Sequence, residues 1–326
     1  MDLTSPTRHS DDDAPIHVTV IGGYLGAGKT TLLNHLLRVG TGRRTMVLVN
    51  DFGSINIDRD LIVSSDGGTL SLGNGCVCCT LSGTLQQMLL GIGARPNPPE
   101  LLVIEASGVS DPTAIARDVA LPGFRLDAVV VVVDAETIES RSEHPYLGRT
   151  IRSQLQAADV VVLNKLDLVD LTREAAVRGR LGALAPESAV VGASEGRVAP
   201  ALLLGVHGGG PQHTNGDDHV HGPDCDHSHD EPHADHATWS WELQAPLSRN
   251  QVEQWVASLP DDIVRAKGTL ALTDDPDHRT VLQVVGRRMR LSVGEPWGDA
   301  VPVSRLVAIG LPGSQAPAAP WVPFGS

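Results

Sequence analysis

Three of the four cysteines fall within four positions, Cys76, Cys78 and Cys79 in "GNGCVCCT" (73–80). Residues i and i+2 of an extended segment project to the same side, so Cys76 and Cys78 converge. The pattern that follows, "TLSGTLQQML" (80–89), predicts a helix whose N-terminus stabilises the Cys79 thiolate. Cysteines this close make poor disulfides, because the bridge demands a strained backbone. Three thiolates suit Zn²⁺, which takes sulfur ligands at about 2.3 Å in tetrahedral geometry. With three protein ligands a fourth position stays open, as a site that gives up its metal requires. The competing reading is a packed cluster of small apolar thiols.

A second metal-ligating stretch lies at 207–236, with eight of the 13 histidines, seven acids and no lysine or arginine. Two H-x-H pairs, His219/His221 and His227/His229, flank Cys225. Neutral imidazoles so spaced capture Zn²⁺, Ni²⁺ or Co²⁺ weakly and multivalently; a merely solvated linker is the alternative. His9, His17, His35, His144 and His278 read as ordinary surface or core residues. Thiolates favour Zn²⁺ and Cu⁺ while imidazoles accept Zn²⁺, Co²⁺ and Ni²⁺, so the sequence leaves the metal open.

The third chemistry is phosphate binding. "GYLGAGKT" (23–30) fits GxxxxGK[ST] between a strand pattern and a helix pattern, the context the motif needs. Gly23, Gly26, Ala27, Gly28, Lys29, Thr30 and Thr31 then form a cradle of backbone N–H groups at a helix N-terminus. Lys29 neutralises β/γ-phosphate charge and the Thr30 hydroxyl ligates Mg²⁺. "NKLD" (164–167) ends another strand pattern. Asn164 can pair with the O6/N7 edge of a purine, Lys165 lays its stem over the base, and Asp167 accepts from N1–H and the 2-amino group. Guanine alone offers both donors, so GTP is expected over ATP. Ser194, in "ASEG" (193–196), can add a backbone contact to the base. In "EASG" (105–108), Glu105 is placed for Mg²⁺ or its water and Gly108 offers an N–H to the γ-phosphate. Asp51 is a second carboxylate for the metal, or else a turn former before Gly53. Asp134 reads as a solvated strand end. The cysteines fall between Asp51 and "EASG", so a change at the γ-phosphate can move the thiolates.

These groups need a scaffold that brings loops to one edge. Strand patterns at 16–23, 45–51, 100–108, 127–135 and 158–167 end in polar residues and alternate with helical patterns, the first at 31–40. That rhythm predicts an α/β fold with a doubly wound, mainly parallel sheet and a site at the strands' C-terminal ends. The segment 206–237 lacks the apolar surface to fold by itself and reads as a flexible linker. Beyond it, a helix near 248–259 and strands near 268–273, 280–285 and 288–293 suggest a small α+β domain. The expected organisation is a disordered arm (1–14), a nucleotide domain (15–205), the linker (206–237), the small domain (238–310) and a loose tail (311–326).

Composition narrows the class. A 326-residue chain that is 41% hydrophobic can build a substantial core plus a smaller one. The first 15 residues lack an apolar run and do not read as a signal peptide. The longest pure aliphatic stretch, "AVVVVV" (128–133), is far short of a membrane span. The reading is therefore of a soluble, cytoplasmic protein. A net charge of −14 argues against nucleic-acid and anionic-membrane partners. In a reducing compartment clustered thiols point to metal or redox chemistry rather than structural disulfides.

In one order, "GYLGAGKTTLLNHLL", "VLVNDFGSINID", "GNGCVCCTL", "VIEASGVSDP", "DAVVVVVDA" and "LNKLDLV" resemble the CobW-type GTPases, metal chaperones related to the urease and hydrogenase accessory GTPases. The likeness is close over 16–205 and looser beyond it. It implies a P-loop GTPase that uses GTP and Mg²⁺, carries Zn²⁺ or Co²⁺ at Cys76, Cys78 and Cys79, and serves a client metalloprotein, with an oligomer an option. Asp51 departs from the family, where glutamate is usual; the urease accessory relatives have aspartate there. A metal-buffering protein with regulatory nucleotide binding is the runner-up, and a small-molecule kinase, disfavoured by NKLD, the third reading.

Overall fold

The computed structural model describes residues 14–50, 69–72, 82–204 and 236–320. The chain divides into two compact units, Met1–Gly196 and Arg197–Ser326.

The first unit is built on a parallel sheet. Its strands are β1 (Ile16–Gly22), β2 (Thr45–Asn50), β3 (Thr69–Leu72), β4 (Leu101–Glu105), β5 (Phe124–Asp134), β6 (Val160–Asn164) and β7 (Ala189–Gly192). They are ordered β3-β2-β4-β1-β5-β6-β7, and each neighbouring pair is parallel. Every residue of β4 and of β6 is buried. Successive side chains face opposite sides, so such strands are covered on both faces, which is why they read as unbroken apolar runs. The intervening helices are α1 (Lys29–Val39), α2 (Ser82–Gly93), α3 (Pro112–Asp118), α4 (Ile138–Glu143), α5 (Gly148–Ala157) and α6 (Leu171–Leu184). α1 buries Leu32, Leu33, Leu36 and Leu37, the i, i+1, i+4, i+5 stripe of an amphipathic helix. Asp111 caps α3, its carboxylate accepting from Thr113 N at 2.9 Å, and Pro112 sits where a missing N–H costs nothing.

The α/β expectation holds. Strands end earlier than their apolar patterns because the last residues leave the sheet. β4 stops at Glu105, before Ala106–Gly108, and β6 at Asn164, before Lys165–Asp167. β3 and β7 are strands that the sequence reading does not assign.

The second unit begins with a short helix α7 (Pro200–Leu203) and then an antiparallel sheet. Its strands are β8 (Ala237–Leu243), β9 (Ile263–Leu272), β10 (Asp275–Val285), β11 (Arg288–Pro296) and β12 (Ser304–Gly310), ordered β11-β10-β9-β12-β8. Helix α8 (Arg249–Ala257) starts in a capping box, Ser248 and Gln251 bonding each other's backbone N–H. Its Val252 and Trp255 join Leu270, Leu282 and Leu306 in one core. Trp241 meets Trp255 edge-on, centroids 5.8 Å apart and planes at 81°, a favoured aromatic geometry. β8 and β12 are additions to the expected strand set. The loose tail gives way over part of its length: Leu311 N donates to Asp262 O at 2.9 Å, and Trp255 Nε1 donates to Ala318 O at 2.8 Å. Among the described residues no helix is long and apolar enough to cross a membrane.

Candidate nucleotide site

The phosphate loop, Gly23 to Gly28, joins the central strand β1 to α1. Two of its glycines are required by space and by backbone. Gly23 has φ 131°, and a Cβ there would lie 2.2 Å from Val132 O. Gly28, the residue before α1, has φ 104°, and a Cβ there would lie 2.2 Å from Asn164 Nδ2. The Lys29 ammonium is folded back over the loop, donating to Gly23 O at 2.9 Å and Tyr24 O at 3.5 Å. It is buried. Ala27 is buried, while Gly26 and Thr31 are exposed. A turn of backbone N–H groups, a lysine and a helix N-terminus thus share one edge of the sheet, an arrangement suited to an anion.

Thr30 and Glu105 meet beside this loop. Thr30 Oγ1 donates to Glu105 Oε1 at 3.2 Å. β1 and β4 are neighbours and Ile21 is opposite Glu105, so the sheet register sets the pair. The chain then turns through Gly108, which packs on the phosphate loop: a Cβ there would lie 2.7 Å from Leu25 N.

On the other side of β1, Asn164 is buried at the end of β6. Its Nδ2 donates to Ala27 O at 3.0 Å and its Oδ1 accepts from Gly196 N at 2.9 Å. The amide therefore straps the phosphate loop to the 193–196 turn, a structural role that the sequence reading did not give it. That turn is tight: Glu195 has φ 53° and Gly196 φ 68°, and a Cβ on Gly196 would lie 2.7 Å from Leu32 N. Ser194 is half-buried in the same turn. Lys165 adopts φ 64°, and Asp167 is exposed in the 3₁₀ turn Leu166–Leu168 that follows.

Asp134 is a correction. Expected as a solvated strand end, it is buried, and its Oδ2 accepts from Lys165 Nζ at 2.9 Å. Glu136 N donates to its Oδ1 at 3.0 Å. Burial pushes this carboxyl up, but the Lys165 ammonium and the Glu136 N–H together hold it below the ordinary carboxylate value. The signal that could have found it is adjacency: β5 and β6 pair with Asp134 opposite Asn164, so any acid ending β5 sits beside the NKLD turn.

Asp51, Cys76, Cys78, Cys79, His219, His221, Cys225, His227 and His229 lie outside the described residues. Among the described residues there is no group of three or more His, Cys, Asp or Glu able to hold a metal. His17, in β1, pairs with Asp127 at 2.9 Å, and His278, in the second unit, pairs with Asp275 at 2.9 Å.

Residues 17–192 match the family described as CobW/HypB/UreG, nucleotide-binding domain. Residues 236–318 match the cobalamin synthesis protein cobW C-terminal domain. The zinc chaperone CobW of Pseudomonas aeruginosa is 32% identical, over 91% of this chain and 88% of that protein. The zinc chaperone YjiA of Escherichia coli is 30% identical, over 91% of this chain and 94% of that protein. The crystal structure of the Zn(II)-bound YjiA GTPase from E. coli aligns with a TM-score of 0.46 and 26% identity, over 91% of this chain and 95% of that one.

Proposed function

The chain belongs to the CobW/HypB/UreG family, and on that premise we propose that it is a cytoplasmic GTPase metallochaperone. It couples GTP hydrolysis to holding Zn²⁺ and handing it to a client metalloprotein; Co²⁺ is the second candidate cargo. The observation that carries the nucleotide half is the Asn164 strap, which ties the phosphate loop at Ala27 to the turn at Gly196. Phosphate chemistry and base chemistry thereby form one site. The metal half rests on Cys76, Cys78 and Cys79 and on the zinc chaperones among the relatives. Weak capture at His219, His221, Cys225, His227 and His229 would feed that site. In this reading the first compact unit, which ends at Gly196, is the nucleotide domain, and the second, from Arg197, carries the small domain.

The residues suit their roles chemically. Lys29 balances charge on the β- and γ-phosphates, with the loop N–H groups and the α1 N-terminus around them. Gly108 N–H contacts the γ-phosphate. An amide carries two N–H donors; Asn164 gives one to Ala27 O, and the purine receives the other. Asp167 accepts from the guanine N1–H and 2-amino groups, Lys165 covers the base, and the Ser194 turn adds a backbone contact. Mg²⁺ fits the donor set, because Thr30 Oγ1 and Glu105 Oε1 are hard oxygens 3.2 Å apart at the phosphate loop. Thr30 and Glu105 would hold the ion, with Asp51 as a further carboxylate. Bound there, it would neutralise phosphate charge as water attacks the γ-phosphorus and GDP leaves.

The test is phosphate release from GTP and from ATP, wild type beside Lys29→Ala. The reading expects GTP to be preferred and the variant to lose turnover while still folding. Equal turnover in the variant would remove the phosphate site from this loop.

A further inference from the structure

Gln154 is a buried polar side chain that no motif includes. It lies on α5, 2% exposed, far in sequence from the phosphate loop and from "EASG". Its Nε2 donates to Gly108 O at 3.2 Å and to Ser110 O at 2.9 Å. Both acceptors are carbonyls, so the amide orientation is fixed: Oε1 facing two carbonyl oxygens would be repulsive. The two N–H groups of one primary amide therefore set two peptide planes of one loop.

That loop is already fixed at its ends. Ala106 N donates to Ile21 O at 2.8 Å, and Ser110 N donates to Ser107 O at 3.0 Å. Asp111 begins the α3 cap beyond it. Its middle is Gly108, packed on Leu25 of the phosphate loop. The Ser107 and Ser110 hydroxyls bond each other at 2.5 Å, and Gln154 adds, from α5, the bonds to the Gly108 and Ser110 carbonyls. An unmade bond to either carbonyl would leave a buried acceptor unsatisfied, so the amide holds the loop in one position.

We propose that Gln154 is the positioning residue for γ-phosphate recognition. It fixes the carbonyl on the C-terminal side of Gly108, while Ser110 N–H holds the Ser107 carbonyl on its N-terminal side. Gln154 thereby keeps Gly108 and its N–H in one position against the phosphate loop and so sets the preference for GTP over GDP. This rests on the reading of Gly108 as the γ-phosphate contact. GDP lacks that phosphate, so a residue acting through Gly108 affects GTP and spares GDP. A residue needed only to keep α5 packed would affect both alike.

The experiment uses the full chain and Gln154→Met, which keeps the volume and removes both donors. Affinities for GDP and for a non-hydrolysable GTP analogue, each with Mg²⁺, are measured by calorimetry. The expected result is about a tenfold loss for the analogue, the effect of losing bonds of this kind, with GDP affinity within about twofold of wild type. Equal losses for both nucleotides, or none for either, overturn the proposal. A wild type that binds the analogue no more tightly than GDP overturns the Gly108 reading itself, and the proposal falls with it. Hydrogen exchange on the wild type gives an answer even where the variant does not fold. Amides of 108–110 and of the α5 turn at Gln154 should exchange more slowly with the analogue than with GDP, and identical exchange contradicts the assignment.

Discussion

Asp134 and Lys165 form an ion pair 2.9 Å long across the ends of β5 and β6, the carboxylate buried and the lysine about one-third exposed. The pair holds Lys165 in its left-handed turn, φ 64°, beside the proposed base site. Asp134→Asn should therefore raise KM for GTP by about three- to tenfold, the range of a partly buried pair. The value of kcat should stay near wild type, since the pair touches no phosphate. Steady-state kinetics checks the split; a fall in kcat with KM unchanged would place Asp134 in the chemistry instead.

The same pair sets a pH dependence. The Asp134 carboxyl is held below its ordinary value of 3.8 in the folded chain. Its contribution to stability is thus fully present above that value and lost as pH falls through the lower, folded value. Wild type should melt above Asp134→Asn at neutral pH, and the gap should close only in strong acid. A gap that closes between pH 5 and 7, read by thermal denaturation, would mean another group is responsible.

Base choice is assigned to Asp167. Asp167→Asn removes the acceptor for two guanine donors and should weaken GTP by on the order of 10- to 100-fold, narrowing its advantage over ATP and over xanthosine triphosphate. Competition binding measures this. An undiminished preference for GTP would show the base to be read elsewhere.

The Asn164 strap gives a prediction about the phosphate loop. Gly28→Ala places a Cβ 2.2 Å from Asn164 Nδ2 at a residue with φ 104°. Strain of about 1–3 kcal/mol is expected there, with nucleotide binding reduced at least tenfold as the strap is pushed off Ala27. Calorimetry and thermal melting check both; a tolerant site would mean that Asn164 moves without consequence.

Much of this site was legible in the sequence, for identifiable reasons. "GYLGAGKT" and "NKLD" are contiguous, and the strands before them read as apolar because both sheet faces are covered. What could not be read depends on register and tertiary contact. Asp134 reaches Lys165 because β5 and β6 are neighbours, and Gln154 reaches Gly108 from a helix 46 residues away. Asn164 reads in the sequence as a candidate base contact, and its strap could not be read there, since it needs Ala27 and Gly196 on either side. β8 did carry a signal, its Trp239, Trp241 and Leu243 alternating inward, but polar Thr238, Ser240 and Glu242 between them dilute the apolar run of an edge strand.

Deleting 207–236 should lower the number of Zn²⁺ ions bound while leaving the tightest one. The segment has almost no apolar side chains, so neither the parallel-sheet unit nor the antiparallel sheet that follows the segment should lose more than about 0.5 kcal/mol of stability. Metal titration against a competing chelator separates the sites. Loss of the tightest equivalent would move the principal site into the linker.

The central claim is that GTP turnover answers to metal held by Cys76, Cys78 and Cys79. Its most direct test is GTP hydrolysis titrated with buffered Zn²⁺ and Co²⁺, wild type beside a variant with all three cysteines changed to serine. Serine keeps the size and is not ionised at neutral pH, so ligation is lost while Lys29, Thr30, Asn164 and Asp167 are untouched. Metal-free turnover should match between the two proteins, and the response to metal should vanish in the variant. If both proteins respond alike, the thiolates do not hold the metal that governs the GTPase, and the chaperone account fails.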